Sequence, residues 1–370
     1  MIFTTGQQIG KYQIIAFLGA GHFAETYLVF DGNLRRQTVL KLFFDGNLDT
    51  LLKEARIQTA LSHQYITKVN SADVIVNVPV INSSLVELLS KYPNLASIPS
   101  IINAQSTNSN AFVNVLCIDM EFMQGGSLGN KLKQQYIPIK NTINYMIKIL
   151  SALEYIHAAG FIHKDIKPDN ILLDISDTPK LADFGLTDHI NSMTEGGYIT
   201  HLPPECFKEV LPNVLSDIYA CGMTLYRLIN NFRNWNDILI HEGVNDQDIK
   251  KGNLVTKISF RPEVPSKLIT VIKKATHKDP RKRYQSASEF RDALAKICPK
   301  VMWKPISKNK WGCENGKNRE EIAVEFLPRK KIYNVCIKRN GKTLNKLTKT
   351  FESEREAYDE MFSYIRESYK

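Results

Sequence analysis

The sequence predicts an α+β chain: a small β-rich lobe, a larger helical lobe, and a small antiparallel sheet-and-helix domain at the C-terminal end. Three observations carry this. Residues 11–45 alternate apolar and polar side chains and are broken by Gly19, Gly21 and Asp31-Gly32, the pattern of a strand meander. Apolar residues recur at helical spacing over 140–159, 214–231, 264–276 and 286–297. Beyond residue 310, alternating runs joined at Asn340-Gly341 close on an amphipathic helical pattern.

The 370 residues are enough for two or three domains at roughly 150 residues each. With 43% hydrophobic and 23% charged residues, the chain can fill a core, which excludes wholesale disorder. No apolar run approaches the roughly 18 residues of a membrane span, so no membrane segment is expected. The start, MIFTTGQQIGKYQ, has no charged beginning, long apolar stretch or small-residue cleavage site. A secretory leader is therefore not expected, and a cytoplasmic location is. Cysteines at 117, 206, 221, 298, 313 and 336 form no CxxC pair or metal spacing, so reduced thiols are expected. The net charge is +10, of which +7 falls in residues 298–370. Such asymmetry marks a surface for nucleic acid or an acidic partner, or simply a solubilising face.

After the meander, Leu52, Ala55, Ile57 and Leu61 give 49–62 a helical period. Residues 75–112 are poor in charge and rich in Ser, Asn and Ile. They read as an irregular insertion with a short helix at 84–91, and 113–123 returns to a buried strand.

Between two strand patterns lies Phe17-Leu18-Gly19-Ala20-Gly21-His22-Phe23-Ala24. Glycines there let backbone N–H groups approach phosphate oxygens. Ala24 stands at the third position of GxGxxG, and a plain hairpin gives the same pattern. Thr38-Val39-Leu40-Lys41 ends an apolar strand on a lysine, which needs an anion if it is buried and none on a sheet edge. Glu54, on the following helical pattern, would neutralise and aim that lysine. The segment 155–174, YIHAAGFIHKDIKPDNILLD, packs His163, Asp165, Lys167 and Asn170 between two apolar runs. Polar groups so dense beside core segments need mutual partners or a ligand. Lys180-Leu181-Ala182-Asp183-Phe184-Gly185 adds another acid after a strand pattern. Asn170 and Asp183 offer hard oxygen ligands that suit Mg²⁺ bound along with substrate phosphates.

In this order and at these separations, from Tyr12 to Ile297, the segments resemble the signature set of eukaryotic-type Ser/Thr protein kinases. The resemblance implies the bilobal protein kinase fold over 1–298, with an N-lobe at 1–123 carrying the insertion and a C-lobe at 124–298. It implies ATP and Mg²⁺ as cofactors and a Ser or Thr hydroxyl of a protein substrate as acceptor. Gly19 and Gly21 would cover the phosphates, and Lys41, positioned by Glu54, would hold the α- and β-phosphates. Asp165 would accept the hydroxyl proton, Lys167 would stabilise the transferring group, and Asn170 and Asp183 would hold the metal. Glu121-Phe122-Met123 resembles the hinge, whose backbone at Glu121 and Met123 would bind the adenine edge, with Met120 guarding the back of the pocket. Val39 and Leu172 would sandwich the base. Pro203-Pro204-Glu205 stands for Ala-Pro-Glu, Arg283 matches the arginine that pairs with Glu205, and Asp217 matches the aspartate that braces the catalytic loop.

Four departures qualify the resemblance. His163-Lys164-Asp165 replaces His-Arg-Asp, and a lysine cannot make the arginine's bidentate contact with a phosphorylated activation segment. That puts activation through Thr187, Ser192, Thr194 or Thr200 in doubt. Gln58 replaces an apolar residue on the Glu54 helix. Tyr198 stands where Ser/Thr kinases have threonine. The insertion at 75–112 exceeds the usual connection and is either a docking surface or a tolerated loop.

Residues 299–309, with Pro299 and KPISKNK, read as a linker. In 310–370, strands are expected at 310–314, around Ile322, Val324 and Phe326, around Tyr333, Val335 and Ile337, and at 343–350. A helix follows, capped by Ser353 with Glu356 and striped with Tyr358, Met361, Phe362, Ile365 and Tyr369. Lys330, Lys331, Lys338, Arg339, Lys342, Lys346 and Lys349 crowd the strands and turns. The segment is similar to the three-strand-plus-helix modules of AP2-type factors and integrase arms, which implies DNA contact. Protein docking or autoregulation is the competing reading.

Three function classes are expected to compete. They are an active protein Ser/Thr kinase, an ATP-binding pseudokinase scaffold, and a kinase-fold phosphotransferase on a non-protein substrate. Retention of Lys41, Glu54, Asp165, Asn170 and Asp183 favours the first over the second. Asp165-x-Lys167 with Pro-Pro-Glu favours it over the third.

Overall fold

The computed structural model describes residues 2–20, 24–43, 56–81, 110–189, 198–208, 210–297, 299–315 and 317–369. The chain divides into two compact units. One is Met1–Gly125 with Asp174–Asp177 and Ala182–Thr187; the other is Gly126–Leu173 with Thr178–Leu181 and Asp188–Lys370.

The first unit is built on six antiparallel strands: β1 (Gln8–Ile9), β2 (Tyr12–Ala20), β3 (Ala24–Asp31), β4 (Arg36–Phe43), β5 (Val69–Ile81) and β6 (Asn110–Met120). Their order is β1-β2-β3-β4-β6-β5. Because successive side chains alternate faces, Ile14, Val29, Leu40, Leu42, Val115 and Cys117 enter one core, which Ile2 and Phe3 close. Ala24, Phe43, Leu116 and Ile118 pack on the opposite face. Asp31 sets the β3–β4 turn: its Oδ1 accepts the N–H groups of Asn33 and Leu34 at 2.9 and 3.0 Å.

The insertion expected at 75–112 is shorter than its composition implied. Residues 75–81 and 110–112 belong to β5 and β6, paired as Val78↔Val113 and Ile81↔Asn110. The remainder, including the helix expected at 84–91, lies outside the described residues. Of the helix expected over 49–62, residues 56–60 are helical and 49–55 lie outside the described residues. Gln58 is buried there, and its amide donates to Thr67 O at 3.1 Å and Thr67 Oγ1 at 2.9 Å. Gln58 is thus tied through its amide nitrogen, while its buried Oε1 has no hydrogen-bond partner among the described residues.

In the second unit, short strands β7 (Gly126–Ser127), β8 (Phe161–Ile162), β9 (Ile171–Leu173), β10 (Pro179–Leu181) and β11 (Asp188–His189) frame the loops. They pair as β10-β9-β7 and β11-β8. The main helices are α1 (Leu128–Gln134), α2 (Ile139–Ala158), α3 (Val214–Ile229), α4 (Ser266–Ala275) and α5 (Ala287–Ala295). The last four lie within the expected helical patterns, give or take a residue. Helix α3 starts on a capping box between Asn213 and Ser216 and is buried from Ser216 to Ile229, as a central helix must be. Its Gly222 permits close approach: a Cβ there would lie 2.7 Å from Thr276 Cγ2 and 2.9 Å from Ala275 Cβ.

The C-terminal sheet comprises β12 (Lys304–Ser307), β13 (Lys310–Asn315), β14 (Asn318–Leu327), β15 (Ile332–Arg339), β16 (Lys342–Thr343) and β17 (Lys349–Phe351). Strands β12 to β16 are ordered in sequence, and β17 pairs with β15. Helix α6 (Glu354–Glu367) packs on β14, β15 and β17. Ser353 Oγ caps it by accepting Glu356 N–H at 3.2 Å, and Ala357, Met361 and Ile365 are buried. The single strand expected at 343–350 is broken by a 3-10 turn at Asn345–Leu347.

The linker expected at 299–309 instead contains β12. Every β12 side chain is exposed, which is why the run KPISKNK reads as a linker. Trp303 beside it is fully buried, and its Nε1–H donates to Ser368 Oγ at 2.7 Å. The sheet domain is fixed to the helical part of its unit. Trp311 stands edge-on to Tyr136 at 5.6 Å and to Phe362 at 6.0 Å. Arg366 donates to the Pro262 carbonyl at 2.5 Å. Nearby Glu263 is buried; burial pushes its carboxyl up, and Arg261, 2.9 Å away, opposes this.

Trp311→Ala should cost about 3–5 kcal/mol, because it empties a well-packed site of an aromatic. Urea unfolding would read this. A loss below about 1 kcal/mol would mean the contact with Tyr136 is superficial.

Candidate active site

In the first unit, β4 carries Val39 and Lys41 on the face opposite Leu40 and Leu42, since residues two apart share a face. Lys41 Nζ lies 3.0 Å from Asp183 Oδ1, with the two side chains 18% and 47% exposed. An ion pair this exposed contributes little to stability by itself. Asp183 has φ +64°, a left-handed conformation that L residues adopt at a cost of roughly 1–2 kcal/mol. Such strain is concentrated at functional positions. Phe184 beside it is buried and anchors the turn, accepting Thr187 N–H at 3.0 Å.

Gly19 pairs with Thr26 across β2–β3, and nothing lies within 4 Å of a Cβ built on it. Gly21 and Glu54 lie outside the described residues. After Met120 the chain leaves β6. Glu121 N–H donates to Lys68 O at 3.0 Å, and Glu121 Oε1 accepts Lys68 N–H at 2.6 Å. Met123 is buried.

In the second unit, the loop 163–170 is organised by Asp217 of α3. Its Oδ2 accepts His163 N–H at 2.8 Å and meets His157 Nε2 at 2.9 Å, and its Oδ1 accepts Lys164 N–H at 2.9 Å. Burial pushes this carboxyl up, but hydrogen bonding and charge from His157, with His163 adding to them, hold it below the usual range. Lys164 is itself buried, at φ +68°.

Asp165 is thereby presented with its two oxygens unequal. Oδ2 accepts Lys167 Nζ at 2.6 Å and Asn170 Nδ2 at 2.7 Å. Oδ1 is buried and has no hydrogen-bond partner among the described residues. Asn170 Nδ2 also donates to the Asp165 carbonyl at 2.9 Å, which turns Asn170 Oδ1 away from Asp165. Leu172 is half-buried on β9.

Expected Asp165, Lys167 and Asn170 are brought together in one unit, and expected Lys41 and Asp183 in the other. Among the described residues no three His, Cys, Asp or Glu side chains group as a metal site. The oxygen ligands expected for Mg²⁺ are one amide and one carboxylate. The orientation of Asn170 and the accessibility of Asp183 fit that role.

Several positioning groups were not legible in the sequence. His201 is buried, and its Nδ1–H donates to the Ile166 carbonyl at 2.9 Å, leaving Nε2 to accept from Arg227 Nη1 at 3.2 Å. Burial, and then the charge of Arg227, hold His201 well below its ordinary range. Arg227 lies over the rings of Tyr198 and Trp235 at 5.9 and 5.3 Å, and Lys167 lies 5.3 Å from the Tyr198 ring. Tyr198, where threonine was the family expectation, serves as an aromatic face for two cations. Only the helical spacing of Arg227 within an apolar run hinted at this. Farther out, Arg283 donates to both oxygens of Glu205, at 2.6 and 2.8 Å, the expected pair.

A neutral, buried His201 ties loop stability to pH. Its folded pKa is depressed, so its contribution is complete above the unfolded value of about 6.5 and is lost below it, by up to about 1.4 kcal/mol per pH unit. Between pH 6.5 and 5, His201→Gln should flatten the fall of stability relative to wild type. Equal slopes in denaturant titrations would contradict this.

A family profile described as protein kinase domain matches residues 12–294. The serine/threonine-protein kinase PrkC of Bacillus subtilis is 28% identical over 303 residues, 76% of this chain and 39% of that protein. PknG of Mycobacterium leprae, a serine/threonine-protein kinase, is 27% identical over 334 residues, 88% of this chain and 37% of that protein. The probable serine/threonine-protein kinase PknB of Lactococcus lactis is 33% identical over 189 residues, 48% of this chain and 29% of that protein. The chain spans less than two fifths of the length of each.

Proposed function

We propose that this chain, which belongs to the protein kinase family, transfers the γ-phosphoryl group of ATP to Ser or Thr hydroxyls of protein substrates. The observation that carries the reading is the divided Asp165 carboxylate. One oxygen is held by Lys167 and Asn170, and the other is buried without a partner among the described residues. A general base needs an acceptor within hydrogen-bond reach of the proton it takes.

In the proposed reaction the acceptor hydroxyl gives its proton to Asp165 Oδ1 as its oxygen bonds to the γ-phosphorus. The bond from that phosphorus to the β-γ bridging oxygen breaks, and ADP leaves with the electron pair. Lys167 supplies positive charge to the phosphoryl oxygens. Lys41 holds the α- and β-phosphates, with Asp183 setting its direction, and Glu54 is assigned the same task. The backbone of Gly19 and Gly21 covers the phosphates. The backbone at Glu121 and Met123 takes the adenine edge, between Val39 and Leu172. Asn170 and Asp183 are assigned to magnesium, which when bound neutralises charge on the β- and γ-oxygens.

The C-terminal sheet is read as a brace on the helical part of its unit, with protein docking on its outer surface. Several of the basic residues that resembled a DNA-binding set meet acids instead. Arg339 pairs with Glu320 at 2.7 Å and Lys349 with Glu360 at 2.7 Å, and Lys338 stands opposite Glu321 across β14–β15. Such pairing lowers the charge available for phosphate contacts. Among the described residues no helix is long and apolar enough to cross a membrane.

With labelled ATP, Mg²⁺ and a protein acceptor, Asp165→Asn should lower transfer by roughly 10²–10⁴-fold. Lys41→Met should abolish turnover while shifting stability by less than about 1 kcal/mol, because its ion pair is partly exposed. Equal label in wild type and Asp165→Asn would overturn the assignment. Label accepted by small molecules but by no protein would favour a non-protein substrate.

A further inference from the structure

A buried polar network in the first unit lies outside the groups assigned above. Asp119 is 1% exposed and sits one residue before the end of β6, on the same face as the main core. A carboxylate there is costly unless its lone pairs are filled. Oδ2 accepts the Tyr12 hydroxyl at 3.1 Å, and Oδ1 accepts Asn70 Nδ2 at 2.9 Å. The Thr38 hydroxyl also contacts Oδ1. Among the described residues no Lys, Arg or His forms an ion pair with Asp119, so its partners are neutral hydrogen-bonding groups. Burial, with the charge of Asp119 adding to it, pushes the Tyr12 phenol up to about 12.

Thr38 Oγ1 lies 2.6 Å from the Met120 carbonyl as well. Four strands, β2, β4, β5 and β6, therefore converge on the peptide that leaves the sheet. Next along the chain, Glu121 and Lys68 exchange hydrogen bonds through backbone and side chain. The Met120–Glu121 peptide at the head of the strip is thus held on both sides, its carbonyl by Thr38 and its N–H by Lys68.

We propose that Thr38, Asp119 and Tyr12 are positioning residues that fix the Met120–Glu121 peptide, from which the strip to Met123 starts, and so set selectivity for adenine over guanine. The inference rests on the reading that this strip meets the adenine edge. Adenine offers an amino donor and a ring-nitrogen acceptor there. Guanine offers a carbonyl acceptor and a ring N–H donor, the reverse order. A rigid strip leaves polar groups unpaired against guanine and rejects it strongly, whereas a strip free to rotate can adjust.

The test compares kcat/KM for MgATP and MgGTP on the full chain, for wild type, Thr38→Val, Thr38→Ser and Tyr12→Phe. Thr38→Val should lower the ATP-to-GTP ratio roughly ten-fold or more, mainly through KM for ATP. Thr38→Ser keeps the hydroxyl and should stay within about two-fold of wild type. Tyr12→Phe should fall between them, and it carries the test if Thr38→Val does not fold. The ratio is taken on one protein sample, so a smaller folded fraction does not change it. A wild-type ratio in both Thr38→Val and Tyr12→Phe would overturn the proposal while leaving the kinase reading intact. A wild-type protein that binds neither nucleotide would overturn that reading and this inference with it.

Discussion

Charge removed from water must be met by donors or by opposite charge, and Asp217 shows what that constraint builds. Its carboxylate is buried in the central helix α3, and its oxygens gather His157 and the N–H groups of His163 and Lys164. Two backbone donors from consecutive residues leave the loop little freedom. That fixes where Asp165 begins and which way its side chain leaves the chain. The role proposed for Asp165 depends on this one buried acceptor.

The same constraint separates scaffold from chemistry. Arg283 with Glu205, and Asp119 with its neutral donors, are buried and closely partnered. The Lys41–Asp183 pair is partly exposed, and Asp165 keeps one oxygen without a partner among the described residues. Arg283 and Asp119 are enclosed and hydrogen-bonded on each side. Groups assigned to act on a nucleotide are left accessible or partly unsatisfied.

What was legible in the sequence follows from this division. Most strands and helices showed themselves through periodicity, because one face is buried, as in α6, or, for α3, through a nearly continuous apolar run. Lys41, Asp165, Lys167, Asn170 and Asp183 stood out as charged or amide side chains set beside apolar runs. Asp119, Thr38 and Tyr12 did not, since a single polar residue in an alternating strand looks like a solvent-facing one until the sheet places it inward. His201, and the contacts of Tyr198, were hidden for a related reason: their partners, Ile166, Arg227 and Lys167, are brought to them only by folding. Strand β12 was misread because its side chains face water, so its backbone pairing leaves no trace in composition. The insertion was overestimated because β5 and β6 run into it over 75–81 and 110–112: the β-branched run IVNVPVI is strand-prone and was counted together with the Ser- and Asn-rich stretch beyond it.

The proposed function assigns Lys41, Asn170 and Asp183 to one magnesium-bound nucleotide. A crystal structure of the full chain with Mg²⁺ and a non-hydrolysable ATP analogue tests it most directly. Metal liganded by Asp183 and Asn170, Lys41 on the α- and β-phosphates, and the base on the backbone at Glu121 and Met123 are the expected result. An analogue bound away from these residues, or a metal held by neither Asp183 nor Asn170, would contradict it.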